Sequence, residues 1–356
     1  MKRARRAVNI IDVAKAAGVS VSTVSRVLNA RADVADDTQE RVLSVIGELG
    51  YTSSLAARSM RSHRKNLIGL VVPDIGWPYS IEVMKGINRA IAESTFDLLL
   101  YTAGDVSKPG AASHEQHYVS LYNSIADGVL IVASAAADFT TQAPVVSIDP
   151  HGVDPSYPFV QATNYEGARD AMQYLLDLGH RRIAFITGRP EIDSGQRRLK
   201  GYRDALASAG LEVDEQLIAS GDFSTASGHT CALDLLSRPE PPTAIFAAND
   251  QSALGVYQAA AELGVRIPDD CSLLGFDNIP EARYVGLTTV DQFLEQMGYV
   301  AVQMLTRLID REPLEDRVHC MPTELVIRTS CQPPPGLASH DSRAQAGFAA
   351  GPGDQT

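Results

Sequence analysis

From residue 66 the chain repeats one pattern: a short apolar run, a longer segment with helical periodicity, then another apolar run. The apolar runs are "LIGLVVP", "DGVLIVA", "PVVSID", "RRIAFITG", "TAIFAAND" and "CSLLGFDN", and between them lie segments such as "IEVMKGINRAIAES", "YEGARDAMQYLLDLG" and "QSALGVYQAAAELG". Unbroken apolar runs bounded by turn residues suit strands buried on both faces, and parallel strands need a crossover helix between them. The alternation therefore predicts doubly wound parallel α/β sheets. The span 66–333 is too long for one such unit of ordinary size, so two lobes are expected.

Several of these runs end in a polar residue: Asp74, Asp149, Asn249 with Asp250, and Asp277. Ligands of open α/β sheets bind beyond the carboxyl ends of the strands, so these side chains are expected to converge on a cleft. Trp77, Tyr79 and Phe223 can offer flat faces to a ring there, and Arg198 can donate paired hydrogen bonds. The competing reading is that each Asp or Asn starts a turn or caps the next helix.

The charge of the chain is divided. Overall it is −12, yet residues 1–65 carry 12 Lys and Arg against 6 Asp and Glu. A small basic head precedes a large acidic body, and only the head suits a polyanion. In the head, Asn9 precedes "IIDVAKAAG", a short helix with Val13, Ala14 and Ala17 on one side and Gly18 to end it. Ser20 then caps a second helix whose stripe Val24, Val27 and Leu28 faces inward, while Ser22, Ser25, Arg26 and Asn29 turn outward. A third helix in "DDTQERVLSVIGELG" is expected to bury Val42, Val45, Ile46 and Leu49. Two short helices on a tight Gly turn, the second with a polar outer face, make a helix-turn-helix. Its hydroxyls and amide can bond phosphates, and its arginine can fork onto guanine in the major groove.

At this point a resemblance becomes specific. The stretch "IIDVAKAAGVSVSTVSRVLNARADVADDTQERVLSVIGELGY", with "DVAKAAGVS", "TVSRVLN", "T..RV" and "LGY" in that order, resembles the DNA-binding head of the lac repressor family (LacI/GalR) along its whole length. The resemblance implies base reading by Val21, Ser22 and Arg26, phosphate contacts by Thr23, Ser25 and Asn29, and a place for Ser20 at the start of the same face. It also implies that "TSSLAARSMRSHRK" is a hinge that folds into a helix on the operator, with Leu55 and Ala56 near the DNA and Met60 as the apolar wedge in the minor groove. Ser53 and Ser54 replace the prolines or asparagine common near the hinge start.

"IGLVVPD", "DGVLIV", "LGHRRIAFITG", "RRLKGYRDAL", "FAANDQSALG", "GFDNIPEARY" and "LTTV" extend the resemblance to the family's effector-binding core, which is similar to periplasmic sugar-binding proteins. It implies ligand contacts at Tyr79, Asp149, Ser194, Arg198, Phe223, Asn249, Asp277 and Gln292. The implied organisation is a head over 1–50, a hinge over 51–65, and a body over 66–333. Within the body one lobe spans about 66–162 with 293–322, and the other 163–292 with 323–333. "WPYS" departs from the Asn-Pro and two aromatics of many members, at Trp77 and Ser80. Purine-responsive relatives carry an arginine and a threonine where this chain has Ile192 and Ser194, which leaves a sugar or related polyol ahead of a nucleoside or nucleobase corepressor.

The expected function is a homodimeric, ligand-controlled repressor of a near-palindromic double-stranded DNA operator. Neither the residues nor the resemblance calls for a cofactor or a metal. A solute-binding protein and a carbohydrate-acting enzyme are the rivals from other classes. Against an enzyme, the chain lacks G-x-x-x-x-G-K-[ST], G-x-S-x-G and a strand-linked G-x-G-x-x-G. "HEQHY", with His114, Glu115 and His117, is one residue short of a zinc-protease motif and reads as a solvated helix face. No apolar run reaches the roughly 18 residues of a membrane span, and "MKRARR" leads into no signal-peptide core. Cys231, Cys271, Cys320 and Cys331 form no C-x-x-C pair and suit free thiols, so a cytoplasmic protein with no membrane partner is expected. The tail over 334–356, rich in Pro, Gly, Ala and Ser, is expected to be disordered.

Overall fold

The computed structural model describes residues 8–28, 34–50, 64–104, 110–151 and 155–335. Asn29, the hinge residues Leu55, Ala56 and Met60, and the tail beyond residue 335 lie outside the described residues. Contacts divide the chain into Met1–Lys65 and Asn66–Thr356.

Among the described residues the first unit holds three helices, α1 (Ile10–Ala17), α2 (Val21–Leu28) and α3 (Asp36–Leu49). Asn9 Oδ1 accepts from the Ile11 and Asp12 amides, and Asp12 Oδ2 accepts from the Asn9 amide, a reciprocal cap that fixes where α1 starts. Gly18, at φ 65°, ends it in the left-handed region where side chains are strained. Ile10, Val13, Ala14, Ala17, Val24, Val27 and Val42 form the buried core. The expected burial of the third helix holds for Val42 alone: Val45 and Ile46 are half-buried, as is Leu28, and Leu49 is 37% exposed. Eight-residue helices span roughly 12 Å and the fourteen residues of α3 roughly 21 Å, so two short helices cannot cover the last turn of the long one.

The second unit contains two six-stranded sheets. The first is built from β1 (Leu67–Val72), β2 (Asp97–Thr102), β3 (Gly128–Val132), β4 (Val145–Ile148), β5 (Phe159–Ala162) and β11 (Val318–Met321), in the order β11-β5-β4-β3-β1-β2 with every pair parallel. The second is built from β6 (Ile183–Ile186), β7 (Ile218–Ala219), β8 (Ala244–Ala247), β9 (Ser272–Asp277), β10 (Thr288–Asp291) and β12 (Glu324–Val326), in the order β12-β10-β9-β8-β6-β7. Only the β10–β12 pair is antiparallel. The crossover helices are α4 (Pro78–Ala92), α5 (Ala111–Tyr122), α6 (Asn164–Asp177), α7 (Asp193–Ser208), α8 (Thr225–Leu236), α9 (Asp250–Leu263), α10 (Pro280–Tyr284) and α11 (Leu294–Ile309). All six sequence-expected strands are present, and every residue of β1, β3, β4, β6, β8 and β9 is buried, as strands covered on both faces must be.

Glycines let helices α4 and α11 cross closely. A Cβ on Gly86 of α4 would lie 1.7 Å from the Glu295 carbonyl of α11, and one on Gly298 of α11 would lie 2.1 Å from the Val83 carbonyl. The chain passes between the sheets three times, after β5, after β10 and between β11 and β12. Two passages are tied: Thr163 Oγ1 accepts from the Thr323 amide at 3.0 Å, and the Thr163 amide donates to the Met321 carbonyl. Among the described residues no helix is long and apolar enough to cross a membrane.

Candidate nucleic-acid face and ligand cavity

Helix α2 separates its residues by chemistry. Val24 and Val27 face the core, while Val21, Ser22 and Arg26 are exposed and Thr23 and Ser25 half-buried. Ser22 and Arg26, four residues apart, share one side of the helix. Ser20 Oγ accepts from the Thr23 amide at 3.1 Å and lies 2.6 Å from Ser22 Oγ and 2.8 Å from Thr23 Oγ1. The capping hydroxyls thus cluster at the positive end of the helix, where phosphate oxygens are favoured.

In the body, a cavity of about 270 Å³ opens beyond the carboxyl ends of β1, β3 and β4 on one side and β6, β7, β8 and β9 on the other. Seven of the eight expected contacts line it: Tyr79, Asp149, Ser194, Arg198, Phe223, Asn249 and Asp277. Trp77, Ser80, His151, Arg189, Thr225 and Gln251 line it as well. Four of its non-glycine residues hold positive φ: Ala133 at 55°, Asp149 at 50°, Phe223 at 72° and Asp277 at 115°. Such backbone costs of order 1–3 kcal/mol per residue and persists where the surroundings over-determine it, as at binding sites.

The side formed by the second sheet is a polar network centred on Arg198 and Asp277. Arg198 Nε donates to Asn164 Oδ1 at 2.8 Å and Nη1 to the Ala248 carbonyl at 2.6 Å, with Asp277 Oδ1 at 3.4 Å and the guanidinium carbon 3.8 Å from the Phe276 ring centre. Gln292 Nε2 also donates to Asp277 Oδ1, at 2.6 Å. Burial, and the Asp149 charge to a lesser degree, push the Asp277 carboxyl up to about 7 against the pull of Arg198 and the Gln292 hydrogen bond. Burial raises Asp149 too, opposed by Arg198 and Ser194. Tyr79 is held well above the usual phenol range, by burial first and then by the charges of Asp149 and Asp277.

Four expectations, at Gln292, Asp74, Asp250 and Glu115, need correction, and at Asn249 both competing readings hold. Gln292 is fully buried and does not line the cavity; it stands behind Asp277 and holds that carboxylate. Asn249 lines the cavity, but its amide also caps α9 by accepting from the Ser252 amide and donates to the Phe223 carbonyl, so the capping reading applies to it as well. Asp74 is exposed and closes a local turn onto the Gly76 amide. Asp250 lies beneath the cavity, accepting from the Ile279 amide and Thr289 Oγ1. In "HEQHY" the two histidines are exposed as expected, yet Glu115 is buried: its carboxylate accepts from the Ala135 and Ala136 amides and from Ser134 Oγ, fastening the loop after β3.

A second cavity of about 470 Å³ is lined by Arg89, Arg283, Tyr284, Phe293 and Glu295 among others, and it meets the first at Asp277. None of its lining side chains is a buried polar group lacking a partner, whereas Tyr79 Oη, Ser80 Oγ and both ring nitrogens of His151 in the smaller cavity have none among the described residues. Orphaned buried polar atoms point to a ligand, so the smaller cavity is the candidate site. Ser80 and His151 were not among the expected contacts. Ser80 was legible only as a departure from the family pattern, and nothing adjacent in the chain marks His151.

Residues 9–54 match the family described as bacterial regulatory proteins, lacI family, and residues 172–331 match a periplasmic binding protein-like domain. The HTH-type transcriptional regulator DegA of Bacillus subtilis (strain 168) is 35% identical over 91% of this chain and 98% of its own length. The chain belongs to the lacI family. Among solved lacI-family structures, the lac repressor dimer bound to operator and the anti-inducer ONPF is 25% identical, with a TM-score of 0.80 over 92% of this chain and 100% of that one. The transcriptional regulator CelR–cellobiose complex is 31% identical, with a TM-score of 0.67 over 91% of this chain and 99% of that one. As a lacI-family member the chain is a DNA-binding transcriptional regulator and not an enzyme.

Proposed function

We propose that this regulator is a repressor which reads a near-palindromic operator as a homodimer in the cytoplasm, and whose operator affinity is set by a sugar or related polyol in the smaller cavity. The observation that carries the reading is the join of two parts in one chain: a helix presenting Ser22 and Arg26 opposite a buried Val24–Val27 stripe, and a body with a cavity holding unpartnered polar atoms. Arg26 forks onto a guanine, Ser22 and Val21 complete the base contacts, and Ser20, Thr23, Ser25 and Asn29 hold phosphates. Leu55, Ala56 and Met60 belong to a hinge that presses an apolar wedge into the minor groove.

In the cavity, Asp149 and Asp277 hydrogen-bond sugar hydroxyls, Trp77 and Phe223 cover the apolar face of the ring, and Tyr79, Ser194, Arg198 and Asn249 complete the polar shell, with Gln292 positioning Asp277 from behind. The known cellobiose complex of a relative supports a carbohydrate class, as do Ile192 and Ser194 where purine-responsive relatives carry arginine and threonine. Each sheet with its helices acts as one lobe, and ligand binding alters their opening about the three crossings, among them the Thr163–Thr323 tie.

Selecting bound duplexes from a random DNA pool with the purified full-length protein, at one moderate salt concentration and with or without a sugar mixture, tests this reading. Recovery of a two-fold symmetric sequence is expected in one of the two conditions. Enrichment of asymmetric sites alone would overturn the dimer reading, and no enrichment in either condition would overturn specific base readout.

A further inference from the structure

The two walls of the smaller cavity differ in a way that selects its ligand. On the second-sheet side the lining polar side chains already have partners, Arg198 in Asn164 Oδ1, the Ala248 carbonyl and Asp277, and Asn249 in the Ser252 amide and the Phe223 carbonyl. Ser252 Oγ and Gln292 Oε1, which lack partners among the described residues, lie behind the lining. Every buried polar atom of the cavity lining that lacks a partner among the described residues belongs to the first-sheet side, namely Tyr79 Oη, Ser80 Oγ, and Nδ1 and Nε2 of His151. Tyr79 and Ser80 stand in the first turn of α4, and His151 follows β4, its own amide donating to the Ser134 carbonyl at 2.7 Å. Ser134 belongs to the loop after β3 that the buried Glu115 carboxylate fastens, so this hydrogen bond ties the His151 backbone to that loop.

We propose that Ser80 and His151, beside Tyr79, are the specificity-determining wall of the ligand site, and that they select an uncharged polyol of single-sugar size by bonding its hydroxyls while the cavity turns away phosphorylated and acidic sugars. The inference rests on the polyol reading given above and narrows it. A neutral imidazole offers one donor and one acceptor, and a hydroxyl is both, so two hydroxyls satisfy the ring whichever nitrogen holds the proton. The Ser80 hydroxyl has the same dual character. A ligand without hydroxyls at these places leaves buried polar atoms unpaired, which is the strongest form of discrimination a pocket can exert.

Charge enters separately. Burial pushes the His151 imidazole down to about 4, with Arg189 acting in the same direction and Asp193 against it, so at neutral pH the ring adds no cation. The lining carries three carboxylates, Asp149, Asp222 and Asp277, and two guanidinium groups, Arg189 and Arg198. Both arginines already have protein partners: Arg198 in the network above, and Arg189 on the Asp222 carbonyl at 3.2 Å and over the Trp77 ring at 5.5 Å. An incoming phosphate or carboxylate would set its charge beside Asp149 and Asp277, which burial already makes costly to ionise, and beside Asp222, whose carboxyl is held, against the push of burial, below the usual range by hydrogen bonds from Ser224 and Ser227. The volume of about 270 Å³ lies just below the ligand-pocket range of roughly 300–1,000 Å³, which suits one ring rather than a longer oligosaccharide.

The chain has a single tryptophan, Trp77, and it lines this cavity, so its emission reports binding directly. Full-length protein is titrated with neutral pentoses, hexoses and alditols, with their phosphates, with uronic acids, and with free purine bases. At least one neutral sugar or alditol should bind, with its phosphate and its uronic acid at least about tenfold weaker. His151→Leu should weaken that neutral ligand by about tenfold or more, His151→Gln, which keeps a donor and an acceptor, should recover part of the loss, and Ser80→Ala should weaken it several-fold. Melting curves without ligand establish that each variant is folded, and Ser80→Ala carries the test if His151→Leu is not. Equal or tighter binding of a phosphorylated or acidic sugar overturns the neutral class. Parental affinity in the folded His151 and Ser80 variants overturns the wall while leaving the polyol reading intact. Binding of a purine base with no neutral polyol, or binding of nothing in the panel, overturns both.

Discussion

Arg26 is where a single side chain has the sharpest expected effect. Its exposed position on α2, one turn from Ser22, suits a bidentate contact to one base pair, so Arg26→Ala should relax preference at one symmetric pair of operator positions and cost on the order of 1–3 kcal/mol per half-site. Binding to duplexes varied at each position measures this; an unchanged preference removes Arg26 from base readout. Asp277 offers a test of a different kind. Its carboxyl is held at about 7, above the roughly 3.9 of an exposed aspartate, so between those values the folded chain binds this proton more tightly than the unfolded chain. Stability contributed by that proton is present at low pH and is lost as pH rises from about 4 to about 7. Asp277→Asn cannot ionise, and its melting temperature relative to the parent should therefore rise between pH 5 and pH 7. Asp250, raised by burial as well, keeps part of the slope in the variant. A difference between the two proteins that stays constant with pH would mean Asp277 carries no such proton.

Helix crossings come next in scale. The Gly298 position leaves no room for a methyl group against the Val83 carbonyl, so Gly298→Ala should part α4 from α11 and destabilise the body by about 1–3 kcal/mol, read by chemical denaturation. A stability equal to the parent would mean the two helices slide apart freely. What the sequence reveals about such elements follows from how they are buried. The six long apolar runs declare themselves because strands covered on both faces need unbroken apolar residues. β2 is a half-buried edge strand, β7 and β12 have two and three residues, and β5, β10 and β11 carry polar residues that interrupt any apolar run. The capping chemistry of α1 is legible because Asn9 and Asp12 act within one turn. His151 is not, because its importance comes from what distant elements fail to offer it, and Gln292 misleads for the same reason: a residue that touches a ligand and one that holds such a residue in place look alike in a string of letters.

At the scale of the whole molecule, ligand and DNA are linked by a coupling free energy. With a typical coupling of about 1–3 kcal/mol, a saturating neutral sugar should change operator affinity roughly 5- to 150-fold, and operator should change sugar affinity by the same factor in the same sense. Titrating Trp77 emission with and without operator duplex, at one fixed salt concentration, measures both sides of that cycle; equal sugar affinities in the two titrations would mean the cavity does not govern DNA binding. The order of the strands bears on how such a molecule is made. Both sheets wait for the stretch 318–326, which supplies β11 to one and β12 to the other, so most of the body must leave the ribosome before either sheet gains its last strand. The basic head emerges long before, with a core of its own. A nascent chain can therefore meet nucleic acid before its sensor is complete, and a chain stopped before residue 318 would lack an edge strand in both sheets at once while keeping its reader.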